Sequence, residues 1–197
     1  HVCDPFDDRY YEPVAYGRFT PEGELLDTLH VLAEETGYVS YIRCVKSEGD
    51  TLHFAWRDAI DAPTHFVHYS KVAPDDELIY DNVVLSGINE EFQGINSIED
   101  FLIDSSGNLI FQVWDSPRAY LAKYTADLEL DTAIYIGQVA PLHSGPGNLK
   151  FDRDGNIILV DDFEGDSSYW QDDCIAYLKL DSTGKILDSL QVIHERW

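Results

Sequence analysis

The chain is short of basic residues, and this shortage excludes several classes of partner. Among its 197 residues, 13 are Lys or Arg and 37 are Asp or Glu, so the formal net charge is -24 at pH 7. Nucleic acids and anionic membranes are bound by clustered cations that attract phosphate groups. We therefore expect no nucleic-acid partner. An acidic surface stays hydrated and screened in salt water, which favours an exported protein, extracellular or on the cell surface.

Long apolar runs, methionine and cysteine pairs are also lacking. No apolar run approaches the roughly 20 residues of a membrane span, so we expect no membrane insertion. The chain contains no Met, and we interpret it as a piece of a larger chain rather than as a processed product. Its three cysteines, Cys3, Cys44 and Cys174, form no CxxC motif. Their odd number leaves at least one thiol without a partner in the chain, and the disulfide state stays open.

Signatures of catalysis are missing as well. The sequence has no G-x-S-x-G elbow, no phosphate loop and no dinucleotide fingerprint. His65 and His68 are the only closely spaced histidines, and their run reads as a strand. Residues three apart on a strand point to opposite faces, so this pair predicts no metal site.

The chain does contain an internal repeat. Residues 23–32, Gly-Glu-Leu-Leu-Asp-Thr-Leu-His-Val-Leu, return at 184–193 as Gly-Lys-Ile-Leu-Asp-Ser-Leu-Gln-Val-Ile. Basic residues inside apolar runs recur at separations of 53, 52 and 56 residues, at Arg18, Lys71, Lys123 and Lys179. A period of roughly 50 residues indicates a unit that buries its faces by stacking on its copies. We place the repeats at about 1–36, 37–95, 96–146 and 147–197.

Each repeat predicts four short strands, in the order strand, Gly turn, strand, variable loop, strand, polar turn, strand. The runs 109–114 and 157–160 are apolar at nearly every position, which is typical of a sheet covered on both faces. Four antiparallel strands per repeat form the blade of a β-propeller. The predicted fold is therefore all-β, with about three and a half to four blades of a larger propeller in this chain.

One segment also has the pattern of a helix. Residues 20–37 begin with Thr20 and Pro21, carry acidic residues in the first turn and end at Gly37, as a capped helix would. The related segment 184–193 lacks those caps and is richer in β-branched residues. Because two copies of one repeat share one conformation, we predict strand for both.

Several turn motifs resemble those of a known class. Asp104-Ser-Ser-Gly-Asn108, Asp152-Arg-Asp-Gly-Asn156 and Tyr177-Leu-Lys-Leu-Asp181 resemble the repeats of exported bacterial and archaeal β-propellers called sialidase-like or BNR-like. The resemblance implies an exported propeller, and its sialidase members are glycoside hydrolases. Sialidase Asp boxes place an Asp two residues before the Gly, whereas this chain has other residues there, namely Ser47, Ser105 and Arg153. Sialidases also use an arginine cluster, and the seven arginines here occupy no matching positions.

The segment 152–156 has the alternating oxygen ligands of a calcium loop. An EF-hand-like loop places its Gly after the third ligand, whereas Gly155 precedes Asn156. A tight hairpin turn built from Asp, Gly and Asn explains the pattern more simply, and we predict the turn.

The segment 161–174 is longer than its counterparts and combines carboxylates with aromatic rings. Long loops on a rigid scaffold often carry binding sites, although a solvated acidic loop has the same composition. The first repeat has a similar segment at its start. The candidate ligand-binding residues are Tyr169, Trp170, Tyr10 and Tyr11, and the candidate calcium ligands are Asp161, Asp162, Glu164 and Asp166. We expect no cofactor other than this calcium.

These features predict a non-catalytic, exported binding or display module for carbohydrate or another protein, with the remaining blades on a larger chain. Two alternatives stay open. One is a segment of a sialidase-like or other polysaccharide-acting glycoside hydrolase. The other is a purely structural repeat of a cell-surface protein.

Overall fold

The computed structural model describes residues 14–26, 29–33, 41–61, 64–85, 97–115, 118–138, 148–164 and 173–193. The chain divides into two compact units, His1–Leu85 and Ser86–Trp197, which are described separately below. All regular secondary structure in these residues is β-strand. Within the described ranges, no helix is long and apolar enough to cross a membrane.

The first unit contains two antiparallel sheets. Sheet 1 has two strands, β1 (Val14–Tyr16) and β2 (His30–Ala33). Sheet 2 has four strands in chain order, β3 (Tyr41–Glu48), β4 (Thr51–Asp61), β5 (Thr64–Val72) and β6 (Leu78–Val84).

The second unit contains two four-stranded antiparallel sheets, again in chain order. Sheet 3 consists of β7 (Ser97–Ile103), β8 (Leu109–Asp115), β9 (Arg118–Tyr124) and β10 (Leu130–Gln138). Sheet 4 consists of β11 (Asn148–Phe151), β12 (Ile157–Glu164), β13 (Asp173–Leu180) and β14 (Ile186–Ile193). For the described residues, the prediction of an all-β fold with four-stranded antiparallel sheets is confirmed in sheets 2, 3 and 4, while sheet 1 has two strands.

Where it is described, at 20–26 and 29–33, the segment with helical pattern forms a turn and a strand, as its related copy does. Phe19 forms an antiparallel bridge with Leu25, and the amide of Gly23 donates to the Thr20 carbonyl at 2.9 Å. Gly23 has φ of 88°, a conformation that glycine adopts without steric cost. Packing of β2 against the rest of the unit overrides the local helical preference.

The basic anchors share one register in all three four-stranded sheets. In the pairing of second and third strands, His53 lies opposite Lys71, Ile110 opposite Lys123, and Ile158 opposite Lys179. The sheets can therefore be compared residue by residue. Positions counted from each basic anchor are called equivalent below.

In the first unit, sheet 2 packs on one face of sheet 1. Val14 and Leu32 of sheet 1 share a buried cluster with Phe54, Trp56 and Val72 of sheet 2. At the end of this cluster, polar contacts fix the turn between β5 and β6. They involve Arg18 and Tyr16 of sheet 1 and Asp76 of the turn.

In the second unit, sheets 3 and 4 enclose a common core whose members include Ile110, Leu121, Ile136, Leu149, Leu159, Leu178 and Leu180. Their first strands are also joined by a buried carboxylate. Asp100 of β7 accepts hydrogen bonds from the amide of Phe101 at 2.8 Å and from the amide of Leu149 in β11 at 3.2 Å.

The turn between the third and fourth strands of a sheet is called its outer turn, and the outer turn of sheet 4 packs against sheet 3. Gly184 is buried with φ of 84°, and a methyl group on its Cα would overlap Ile134 Cδ1 and lie 2.8 Å from Ile134 Cγ1. Gly155 has φ of 80°, but a methyl group there would meet no atom within 4 Å. The two glycines thus have the same backbone requirement and different surroundings.

We expect Gly184→Ala to destabilise the protein more than Gly155→Ala. Both variants force Ala into the left-handed region at a cost of about 1 kcal/mol. Gly184→Ala adds overpacking against Ile134, typically about 1–3 kcal/mol. Urea unfolding followed by circular dichroism measures both losses. Equal losses would contradict the close packing of this turn on sheet 3.

Candidate functional site

The residues selected from the sequence lie mostly outside the described part of the chain. This holds for both tyrosines of the first repeat and for three residues of the acidic segment, namely Tyr10, Tyr11, Asp166, Tyr169 and Trp170. The backbones of Asp161, Asp162 and Glu164 belong to β12, where they pair with Ala176, Ile175 and Asp173. The calcium and aromatic-platform hypotheses therefore remain predictions.

The turn that resembles a calcium loop, 152–156, is held together by its own hydrogen bonds. Asp152 Oδ1 accepts from the amides of Asp154 and Asn156, each at 2.8 Å. Asp152 Oδ2 accepts from Asn156 Nδ2 at 2.9 Å and from Lys179 Nζ at 2.7 Å. These contacts are those of the predicted hairpin turn, and both carboxylate oxygens are engaged in it.

Hydrogen bonds of this kind also lower the pKa of the carboxyl groups in the turns. The hydrogen bond from Lys179, followed by that from Asn156, lowers the pKa of Asp152 far below its usual range. At Asp104 burial raises the pKa, but hydrogen bonds from Asn108 and Ser106 outweigh it, so its pKa is lowered overall. Both turns therefore hold ionised carboxylates at neutral pH. Within the described ranges, no group of three or more His, Cys, Asp or Glu side chains could hold a metal ion.

A cleft of about 310 Å³ opens in the second unit, where sheets 3 and 4 meet at their turn ends. Sequence reasoning did not identify it. Its lining comes from three strands and three turns of the two sheets, and it combines apolar, hydroxyl and charged groups. The lining residues are Asp104, Ser105, Ile110, Lys123, Phe151, Gly155 and Ser182.

The ion pair beside this cleft is looser than its equivalent in sheet 4. Lys123 Nζ lies 4.0 Å from Asp104 Oδ2, which is too long for a hydrogen bond, whereas Lys179 Nζ and Asp152 Oδ2 are 2.7 Å apart. The Lys123 side chain is 23% exposed. Its ammonium group therefore has hydrogen-bond donors to offer to a molecule in the cleft.

The first unit has a larger and more open depression of about 540 Å³. Phe19 and Leu26 contribute large exposed apolar surfaces to it, and Arg18 and Asp50 contribute charges. Arg18 is held in place because its guanidinium group donates to the Pro74 carbonyl at 2.8 Å and lies 2.9 Å from Asp76 Oδ1. The arginine therefore secures the neighbouring turn.

A buried histidine is the most perturbed base of the described residues. His53 is 1% exposed, and its Nδ1 lies 2.6 Å from the hydroxyl of Tyr69. Burial, and then the nearby charge of Lys71, lowers the pKa of His53 to about 4. Burial, with Tyr80 and Glu48, raises the pKa of Tyr69 far above its usual range. The tyrosine hydroxyl thus keeps its proton, and it shares one hydrogen bond with Nδ1 of the neutral imidazole, whose direction is set by the imidazole tautomer.

His53 is a local exception to the apolar pattern. Its equivalents in the other two four-stranded sheets, Ile110 and Ile158, are both isoleucine. Its Nε2 lies 3.9 Å from Glu48 Oε2 and has no hydrogen-bond partner among the described residues. The His53–Tyr69 pair is therefore a packed polar contact within sheet 2.

Comparison with known proteins shows likeness of fold alone. No protein-family model matches the chain, and no curated protein matches it. A crystal structure of a protein of unknown function from Bacteroides caccae aligns with a TM-score of 0.56 and 11% identity, covering 92% of this chain and 56% of that one. A luciferin-regenerating enzyme aligns with a TM-score of 0.48 and 11% identity, over 93% and 57% of the two chains. The chain thus spans little more than half the length of these structures.

We expect His53 to make stability fall as the pH drops from 6.5 to about 4. The unfolded imidazole takes up a proton near pH 6.5, whereas the folded one resists until about pH 4. The unfolded state therefore binds more protons in this window, and about 3 kcal/mol is lost across it. The carboxyl groups with lowered pKa add to the loss only toward the lower end of this window, because they take up protons near pH 3.8 once the chain is unfolded. Urea unfolding at a series of pH values measures the loss.

Two variants identify the group responsible. His53→Ile combined with Tyr69→Phe removes the titrating ring without leaving a buried hydroxyl unpaired, so the slope between pH 6.5 and 4 should flatten. Tyr69→Phe alone should keep most of the slope, because burial is the larger cause of the lowered pKa. A double variant whose slope equals that of the unaltered protein would contradict the assignment.

Proposed function

We propose that this chain supplies consecutive blades of a β-propeller that acts as an exported, non-catalytic binding module. The observation that carries this proposal is the succession of three four-stranded antiparallel sheets with strands in chain order and one shared register. In a propeller, the first strand of each blade lies nearest the central axis. The hydrogen bond from the amide of Leu149 in β11 to Asp100 in β7 supports that arrangement in the second unit.

The chemistry of the described ionisable groups supports a scaffold role. Strongly shifted pKa values arise at catalytic centres and in structural networks alike. Here the shifted groups face partners that stabilise turns or packing. His53 contacts Tyr69, Asp152 contacts Lys179, and Asp181 accepts from the hydroxyl of Thr183 at 2.6 Å.

A neutral saccharide is the ligand class that best fits the cleft between sheets 3 and 4. The half-buried Phe151 offers apolar surface to the C–H face of a sugar ring, while Ser105 and Lys123 offer hydrogen-bond donors. The volume of about 310 Å³ lies at the lower end of small-molecule sites. A net charge of -24 disfavours polyanionic glycans.

Saccharide binding can be tested by affinity electrophoresis in gels containing soluble starch, xylan or galactomannan. Titration calorimetry then follows with oligosaccharides of the retarding polymer. Ser105 lines the cleft, whereas Ser106 is its neighbour in the same turn and does not. We expect Ser105→Tyr to fill the cleft and weaken binding at least about tenfold, and Ser106→Tyr to change it by less than about twofold.

Two results would count against this proposal. Absence of retardation by every polymer would overturn saccharide binding. Equal affinities of the Ser105→Tyr and Ser106→Tyr variants would remove the cleft as its location. Circular dichroism of both variants controls for folding, and little change is expected because both serines are exposed.

A further inference from the structure

Phe19 occupies a position that is fully buried in each of the other three sheets. It follows the basic anchor Arg18, as Val72, Tyr124 and Leu180 follow theirs. Phe19 is 57% exposed, whereas its three equivalents are 0% exposed. A large apolar side chain at this position is covered everywhere except in sheet 1.

The neighbours of Phe19 extend this exposed surface. A methyl group on Gly17 would lie 2.9 Å from Leu29 Cδ2, 3.1 Å from Leu25 Cδ1 and 3.4 Å from Phe19 Cε2, so these side chains lie together. Leu25 and Leu29 are 47% and 61% exposed. We call Gly17, Phe19, Leu25 and Leu29 the open face of sheet 1. Residues of the other face, such as Val14, are buried against sheet 2.

The outer turn of sheet 1 gives independent support. In sheets 2 and 4 the residue of this turn with left-handed backbone lies against the preceding sheet. Asp76 forms an ion pair with Arg18, and Gly184 packs against the Ile134 side chain. The equivalent residue in sheet 1 is Gly23, and a methyl group there would meet no atom within 4 Å. Sheet 1 thus has the contact positions of a stacked sheet while the stacking partner is absent from the described residues.

Sheet 4 carries the matching half of such a junction. Where two sheets stack, the preceding sheet contributes to the contact the residue two positions before its basic anchor. Tyr16 of sheet 1 packs on Phe54 of sheet 2, and Leu121 of sheet 3 joins the core shared with sheet 4. In sheet 4 this residue is Tyr177, which is half-buried, whereas Leu121 is 1% exposed. Ile158, on the same strand pair, is likewise half-buried.

We propose that the open face of sheet 1 is the docking surface for sheet 4 of a second copy of this chain, so that copies associate head to tail. This inference rests on the stacked-blade arrangement of the proposed function. Phe19, Leu25 and Leu29 of sheet 1 are exposed and Tyr177 and Ile158 of sheet 4 are half-buried, and a second copy supplies the complementary half of each. A head-to-tail contact of this kind closes into a ring or grows into a filament, depending on its rotation.

Sedimentation velocity of the full chain over a range of concentrations tests the proposal. We expect concentration-dependent association of the unaltered protein. Phe19→Asp and Tyr177→Asp should each weaken it at least about tenfold, because each places a charge in one half of the junction. Mixing the two variants should restore association in part, since each supplies the half that the other lacks. Ile79→Asp, at a 49% exposed position on β6, is the matched control and should associate normally.

Three results would overturn the proposal. The unaltered protein could stay monomeric at every concentration, or a folded Tyr177→Asp variant could associate normally. The third is a mixture of the Phe19→Asp and Tyr177→Asp variants that associates no more than either variant alone. If Tyr177→Asp does not fold, hydrogen exchange of the unaltered protein replaces it, and peptides covering 17–26 should become protected as concentration rises. Unchanged exchange there would refute docking on sheet 1. A monomer that still binds saccharide would refute this inference and leave the proposed function standing.

Discussion

The structure depends on one constraint, which is that its sheets are apolar on both faces and cannot be buried by their own strands. Phe54 and Trp56 of sheet 2 are buried together with residues of sheet 1, and Leu149 and Leu159 of sheet 4 with residues of sheet 3. Each cluster thus requires two sheets, and stability is shared between neighbours as in other repeat proteins. A sheet without a neighbour on one side leaves apolar area in water, at roughly 25 cal/mol per Å².

Polar groups at the turn ends then fix how the sheets meet. The same position of the outer turn is filled by two different chemistries, Asp76 against Arg18 in the first unit and Gly184 against Ile134 in the second. Both chemistries require a left-handed backbone. The two outer turns have the same backbone conformation but different side chains at the contact, so the repeats are hard to recognise by residue identity alone.

The period of the sequence predicted the strands well, because the basic anchors and Gly turns are local signals. The segment 20–37 shows the limit of such signals, since its caps indicate a helix and only comparison with 184–193 indicated the hairpin. The cleft beside Lys123 was not predictable, because its lining comes from three strands and three turns that are separate in the sequence. The difference between the two Lys–Asp pairs, 4.0 Å and 2.7 Å, follows from packing that no sequence pattern records.

Asp100 has a consequence for the way the second unit folds. Its carboxylate is 8% exposed, and one of its hydrogen-bond donors, the amide of Leu149, belongs to another sheet. Without sheet 4, a folded sheet 3 would lose this hydrogen bond and leave its side of the shared apolar cluster in water. Intermediates with one finished sheet are thereby disfavoured. The two sheets should therefore form and unravel as a single cooperative element, although each is a separate repeat in the sequence.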